Sequence, residues 1–126
     1  DPGGGGSAAA VIVGLRNLTG ADSFYHTNQY QTLAVPQILS NSSVHRLKRL
    51  SEMASPSSLK DILTILGDQH DRKYPIFHDE LSHERGELSD WTMATVSFDL
   101  LAREMRIYHG NPKKAQVAHV EQMMMW

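Results

Sequence analysis

Residues 92–110, "TMATVSFDLLAREMRIYHG", hold the clearest alternation of apolar and polar side chains in the chain. Such alternation is typical of a strand with one face on a core. One face would carry Ala94, Val96, Phe98 and Leu100, and the other Thr95, Ser97 and Asp99. The segment "AREM" (102–105) predicts the turn, and "RIYHG" (106–110) predicts the returning strand, with Ile107 inward. This hairpin indicates an antiparallel sheet.

Two amphipathic helices are predicted upstream of the hairpin. In "SSVHRLKRLSEMA" (42–54) apolar residues recur every three or four positions after a cap at Ser42 or Ser43. In "SSLKDILTILG" (57–67) a capping box runs from Ser58 to Asp61, and Gly67 ends the helix. Each apolar helix face needs a covering surface, most simply a sheet. We therefore expect an α+β fold, with two helices packed on an antiparallel sheet.

Shorter elements are predicted on both sides of these helices. "AVIVGL" (10–15) is a continuous apolar run typical of a doubly covered strand, and "FYHTNQY" (24–30) predicts a second strand that pairs with it. "YPIF" (74–77) predicts a short strand with Pro75 at its start or edge. The charged stretch "HDELSHERGELSDW" (78–91) predicts a loop. The C-terminal tail predicts a short helix from about Lys113.

The chain of 126 residues suits one domain. Residues 1–9, "DPGGGGSAA", cannot pack a core and indicate a flexible glycine-rich linker, either an engineered joint or a loop of a longer chain that has been divided. Residues 10–112 form the predicted domain, and residues 113–126 form the tail.

Composition excludes several classes of function. The net charge of −2 gives no electrostatic reason to expect nucleic acid or an anionic membrane as a partner. No apolar run approaches the roughly 20 residues of a membrane span. The chain has no cysteine, so disulfides, thiolate zinc sites and a cysteine nucleophile within it are excluded. With two glycosylation-type sequons, at Asn17 and Asn41, and no visible signal peptide, cytoplasmic, lysosomal and secreted locations all stay open.

Seven histidines make a metal site one candidate. His70, His78 and His83 share a polar stretch with Asp71, Asp79 and Glu84, and imidazole with carboxylate suits zinc. None of the spacings matches an established metal motif, so surface or hydrogen-bonded histidines are the alternative. No serine lies in a Gly-x-Ser-x-Gly elbow, since Ser97 is in mid-strand, and no phosphate-binding glycine loop is present.

Asn28 is the second candidate. Its neutral amide could donate a hydrogen bond to a developing oxyanion, and it could equally end a strand. Local chemistry leaves both interpretations open.

Several segments, in order, resemble one known family. They are "HTNQY" (26–30), "NSSVHRLKRL" (41–50), "KDILTILGDQHDRKYPIFHD" (60–79) and "TMATVSFDLLAREMRIYHGNP" (92–112). Over residues 10–112 they resemble the C-terminal portion of the acyl-CoA:6-aminopenicillanic-acid acyltransferase, or isopenicillin N acyltransferase-like, family of N-terminal-nucleophile hydrolases.

The resemblance implies an αββα sandwich and amide-bond chemistry without a cofactor. In such enzymes autocatalytic cleavage frees an N-terminal cysteine, which attacks an acyl group while its own α-amine serves as base. Asn28 matches the oxyanion-hole asparagine, and His26, Tyr30 and His78 become candidates for contact with a small acyl-amide substrate. Arg46 and Ser43 match positions that we expect to be structural.

The chain departs from the family pattern because it lacks the cysteine. We therefore expect the nucleophile on an upstream segment or on a second chain, as in a heterodimer, and no activity from these residues alone. Two alternatives stay open: a non-catalytic binding module that pairs through exposed strand edges, and a histidine-based metal protein.

Overall fold

A computed structural model describes residues 23–31, 35–80 and 91–124. These residues form two α-helices followed by a three-stranded antiparallel sheet in the order β1-β2-β3, which confirms the α+β prediction. The elements are α1 (Asn41–Glu52), α2 (Leu59–Leu66), β1 (Thr95–Asp99), β2 (Glu104–Tyr108), a short 3-10 helix (Pro112–Lys114) and β3 (Val117–Gln122). The predicted linker 1–9, the predicted strand 10–15 and most of the predicted loop 78–91 lie outside the described residues.

Local capping explains where the helices begin. Ser40 caps α1, because its hydroxyl accepts the Ser43 N–H at 3.2 Å, so the cap lies upstream of the predicted Ser42 or Ser43. Ser58 caps α2 as predicted, accepting the Asp61 N–H at 3.1 Å. α2 ends at Gly67, also as predicted.

The β1–β2 hairpin is confirmed, with Val96 opposite Ile107. Its turn lies earlier than predicted. The Asp99 carboxylate accepts the N–H groups of Leu101 and Ala102 at 3.0 and 2.9 Å, and Arg103 then takes a left-handed conformation with φ of 55°. β2 therefore begins at Glu104 instead of 106.

Burial in the sheet differs from the usual apolar-inside pattern. The polar face of β1 is covered: Thr95 is buried opposite the buried Tyr108, and the Ser97 hydroxyl lies 3.2 Å from the Tyr108 hydroxyl. On the opposite face, Phe98 is 61% exposed and Val96 is 37% exposed. Among the described residues, the apolar face of the hairpin is thus left largely open to solvent.

Three predicted elements are wrong. The tail from Lys113 is not helical: Ala115, at φ of 52°, ends the 3-10 helix, and residues 117–122 pair with β2 as a strand. Residues 74–77 form no strand, because the Asp68 carbonyl accepts both the Ile76 and the Phe77 N–H and so bends the chain. Residues 24–30 also form no strand.

The buried core of the described residues is small and draws on α2, on residues 68–78 and on the hairpin. Its buried side chains include Leu63 of α2, Tyr74 and Phe77 of the bent segment and Tyr108 of β2. Within the described residues, no helix is long and apolar enough to cross a membrane.

Candidate functional site

A groove of about 710 Å³ opens beside residues 23–27. Its walls come from the C-terminal half of α1, from α2 and from the start of β1, and they are mostly apolar. Ile62, Leu66 and Val96 each line it while remaining between 37% and 43% exposed. A groove of this volume with a mostly apolar lining is large enough to hold a small molecule.

Asn28 lies at a bend directly after the groove residues 23–27 and is not itself one of the lining residues. It follows Thr27, which lines the groove, and its Oδ1 accepts a hydrogen bond of 2.7 Å from Nη2 of Arg46, which also lines the groove. A guanidinium has donors only, so the oxygen of the amide must face Arg46. The Nδ2 amino group therefore points away from Arg46, and within the described residues no hydrogen bond engages its two hydrogens.

Thr27 adds a polar group to the wall of the groove. Its side chain is buried at 8% exposure, and its hydroxyl has no hydrogen-bond partner in the described part of the chain. Buried hydroxyls almost always have a hydrogen-bond partner, because burying a hydroxyl without one lowers the stability of the fold. Within the described residues this hydroxyl is therefore an unsatisfied polar group next to Asn28, and its oxygen is too deeply buried to contact a molecule in the groove directly.

His26 and Tyr30, both sequence candidates, are separated by the bend. His26 is exposed, lines the groove and stacks on Phe24 with ring centroids 6.4 Å apart. Tyr30 is 56% exposed and lines a second, shallower groove with Tyr25 and Gln29. The backbone N–H and carbonyl of Tyr30 are both held by the Gln37 side chain, at 2.9 and 3.2 Å. Only His26 is thus brought to the wall of the larger groove.

His78 is buried behind the groove wall. Its Nε2 donates to the Pro75 carbonyl at 2.7 Å, because a carbonyl can only accept. Its backbone forms reciprocal hydrogen bonds with Thr92, whose side chain lines the groove. Among the residues described, His78 therefore joins the bent segment to the start of β1, and its contact with the groove is indirect.

An ion pair and a histidine–carboxylate hydrogen bond hold α1 in place on either side of Arg46. Arg49 donates two hydrogen bonds to the Asp68 carboxylate, at 3.0 and 2.8 Å, and His45 Nδ1 lies 2.7 Å from Asp71. Burial alone would raise the pKa of Asp68, but hydrogen bonds and charge from Arg49, with the His70 N–H, outweigh it and lower the pKa. The pKa of Asp71 is likewise lowered, despite burial, by hydrogen bonds from Tyr74, His45 and Lys73. Both carboxylates thus stay charged and anchor the helix.

The described residues give less support to a metal site or to a serine nucleophile. Over the described ranges, no group of three or more His, Asp or Glu side chains could hold a metal ion, while His83 and Glu84 lie outside those ranges. Ser97, which the sequence placed in mid-strand, is engaged with Tyr108.

Arg46 and Thr27 are the site residues that sequence reasoning missed. The sequence treated Arg46 as structural and gave no role to Thr27. The one signal for Arg46 is that a guanidinium carries only hydrogen-bond donors and so needs an acceptor nearby. Its acceptor, Asn28, lies 18 positions away in the sequence and at a bend. No local pattern predicts such a pairing.

Comparison with known families supports the resemblance drawn from the sequence. The model of the family described as acyl-coenzyme A:6-aminopenicillanic acid acyl-transferase matches residues 7–114. This range covers most of the 126 residues and includes the groove, Asn28 and the hairpin. Searches of curated proteins and of solved structures found no match to this chain.

Proposed function

The chain belongs to the acyl-coenzyme A:6-aminopenicillanic acid acyl-transferase family, and from this premise we propose that it forms part of an amidohydrolase or acyltransferase. In this proposal the chain supplies the oxyanion-hole donor, Asn28, and one wall of the pocket for the acyl group. The nucleophilic cysteine comes from outside these 126 residues, which contain none. The observation that carries the proposal is the hydrogen bond that orients the Asn28 amide, donated by Arg46, a residue that lines the apolar groove.

Asn28 would act on the charge that develops during acyl transfer. Attack by a thiolate on an amide or thioester carbonyl moves negative charge onto the carbonyl oxygen. A donor already aimed at that oxygen stabilises the transition state without reorganising. With Oδ1 held by Arg46, the two hydrogens of Nδ2 would supply this donor.

The groove would hold the acyl chain. Its walls carry Leu50, Ile65 and Val96, and such side chains stabilise an apolar acyl group by removing it from water. His26 lines the groove two positions before Asn28 and would contact the polar end of the substrate. The polar and apolar parts of an acyl amide thus have separate places in one groove.

A partner segment that carries the cysteine would also explain the exposed apolar face of the hairpin. Phe98 and Leu100 are 61% and 67% exposed, and an apolar face of this kind is typical of a surface that another segment covers. The same observation favours the second candidate function, a non-catalytic binding module on this fold. The two candidate functions differ in their prediction for Asn28: only the enzyme proposal requires Asn28 for turnover.

The test is Asn28→Ala in the enzyme that contains both the nucleophile and this chain. We expect kcat to fall by about 10²–10³-fold, because one oxyanion donor is lost. Asn41→Ala is the matched control, since Asn41 is an exposed asparagine at the start of α1. A loss of less than about threefold for Asn28→Ala would reject the oxyanion role and favour the binding module.

A further inference from the structure

We propose that Arg46 is a positioning residue for Asn28: it selects the one orientation of the Asn28 carboxamide that can stabilise an oxyanion. This inference rests on the proposed function, and it assigns a role to a residue that the sequence treated as part of a helix start. It follows from the 2.7 Å hydrogen bond between Arg46 Nη2 and Asn28 Oδ1.

An exposed asparagine amide has two nearly equivalent orientations. Rotation about its last side-chain bond is broad and roughly two-fold, so Oδ1 and Nδ2 can exchange places at small cost. Only one orientation presents hydrogens to the substrate; the other presents an oxygen, which repels a developing oxyanion. Because the Asn28 side chain is exposed, packing against neighbours does not favour one amide orientation over the other.

Arg46 favours the orientation with Oδ1 facing it, because the guanidinium is positively charged and has no hydrogen-bond acceptor. A cation that can only donate attracts Oδ1 and repels the Nδ2 hydrogens. A hydrogen bond from a charged donor is also roughly twice as strong as a neutral one. In addition, a positive charge at Oδ1 draws electron density from the amide and makes its N–H groups better donors.

The helix holds the guanidinium in place. Arg46 Nε donates to the Ser42 carbonyl one turn back, at 3.3 Å. His45 and Arg49, on either side, bind Asp71 and Asp68, so α1 is fixed to the segment behind it. A guanidinium fixed in this way gives Asn28 a defined direction, and small errors in the direction of a catalytic donor cost rate.

The first experiment measures kinetics in the enzyme that contains the nucleophile. We expect Arg46→Ala to lower kcat by about 10- to 100-fold while KM changes by less than about threefold. Arg46→Lys should recover part of the loss, since lysine restores one charged donor. Arg106→Ala is the matched control, because Arg106 pairs with Glu104 on β2; its kcat should stay within about threefold of the parent.

A double-mutant cycle separates positioning from a structural role. If Arg46 acts through Asn28, then Arg46→Ala has almost no further effect on kcat in the Asn28→Ala background. Equal losses from Arg46→Ala in both backgrounds would overturn the inference. If Asn28→Ala itself leaves kcat unchanged, the proposed function fails and this inference fails with it. If Asn28→Ala lowers kcat but Arg46→Ala leaves kcat unchanged, the proposed function stands and only the role of Arg46 is rejected.

A second measurement does not depend on turnover or on the partner. In the ¹⁵N-labelled 126-residue chain, the side-chain NH₂ of Asn28 gives its own pair of NMR signals. We expect Arg46→Ala to shift these signals and to speed their exchange with water, while the Asn41 side-chain signals stay in place. Asn28 signals unaffected by Arg46→Ala, in a folded variant, would overturn the inference.

Discussion

Asp68 shows at the scale of one residue how the site is supported from behind. Its carboxylate accepts two hydrogen bonds from Arg49 and one from the His70 N–H, while its carbonyl accepts from Ile76 and Phe77. The residue thus joins the helix that carries Arg46 to the segment that carries His78. This anchor lies one helical turn from Arg46, the residue that binds Asn28.

We predict that Asp68 makes stability depend on pH. Because the folded pKa of Asp68 is lowered, its contribution is present above the unfolded value of about 3.9 and is lost as pH falls through the folded value. Asp68→Asn should therefore cost about 1–3 kcal/mol at pH 7, where it leaves Arg49 without its charged partner. The difference from the parent should shrink below about pH 4.

Urea unfolding between pH 7 and pH 3 checks this prediction. Asp99→Asn is the control, because asparagine keeps an Oδ1 acceptor for the turn N–H groups of Leu101 and Ala102. It should change stability by less than about 0.5 kcal/mol. A difference between Asp68→Asn and the parent that stays constant from pH 7 to pH 3 would contradict the assignment.

Residue roles were predictable from the sequence only where a motif or a local rule fixes them. α2 begins after Ser58 and ends at Gly67 as predicted, because helix capping depends on neighbours within one turn. Local chemistry made Asn28 a candidate but left a strand-ending role equally open, and only the family resemblance favoured the oxyanion role. Its partner Arg46 was not predictable, since the pairing depends on how the chain bends between them.

At the scale of elements, the contact between α2 and the 3-10 helix depends on one glycine. The Asn111 side chain donates to the Gly67 carbonyl at 3.1 Å and accepts the Lys113 N–H at 3.0 Å, so it joins the end of α2 to the turn between β2 and β3. A Cβ at Gly67 would lie 2.2 Å from Asn111 Oδ1 and 2.8 Å from the Lys113 Cβ. Close approach, and not a positive φ, requires glycine here.

We predict that Gly67→Ala costs about 1–3 kcal/mol of stability through overpacking. Asn111→Ala removes the nearest clashing atom, so the double variant should be more stable than the sum of the single losses predicts. Gly110→Ala is the contrast: no atom lies within 4 Å of its Cβ position, and its φ of +60° alone should cost about 1 kcal/mol. Thermal melts of all four variants measure this, and strict additivity at Gly67 and Asn111 would contradict the contact.

The sequence predicted the β1–β2 hairpin but not what covers its two faces. Alternation fixed the β1–β2 hairpin, because side chains in a strand alternate whatever covers them. Alternation could not show that Thr95 and Tyr108 would be buried while Phe98 stays exposed, since this depends on which segments cover each face. The tail became β3 because β2 offered an edge to residues 117–122, a long-range effect that outweighs local preference.

At the scale of the whole molecule, the described residues leave their apolar faces unevenly covered. Leu59, Ile62 and Leu66 of α2 are each about 40% exposed, against 4% for Leu63. On the hairpin, Phe98 and its face remain open. A domain with this much exposed apolar surface should associate with something, and the proposed function names a segment that carries the cysteine nucleophile.

We predict that Phe98→Ser separates folding from assembly. In the chain alone it should change stability by less than about 0.5 kcal/mol and reduce binding of the dye ANS, because Phe98 is already 61% exposed. Covering a phenylalanine contributes about 1.5–3 kcal/mol, so binding of the nucleophile-bearing segment should weaken roughly 10- to 100-fold. Leu101→Ser is the control, since Leu101 is fully exposed in the hairpin turn and off the strand face. Calorimetry with the two variants decides: if Phe98→Ser binds that segment as tightly as Leu101→Ser does, the open face of the hairpin is not where the segment docks.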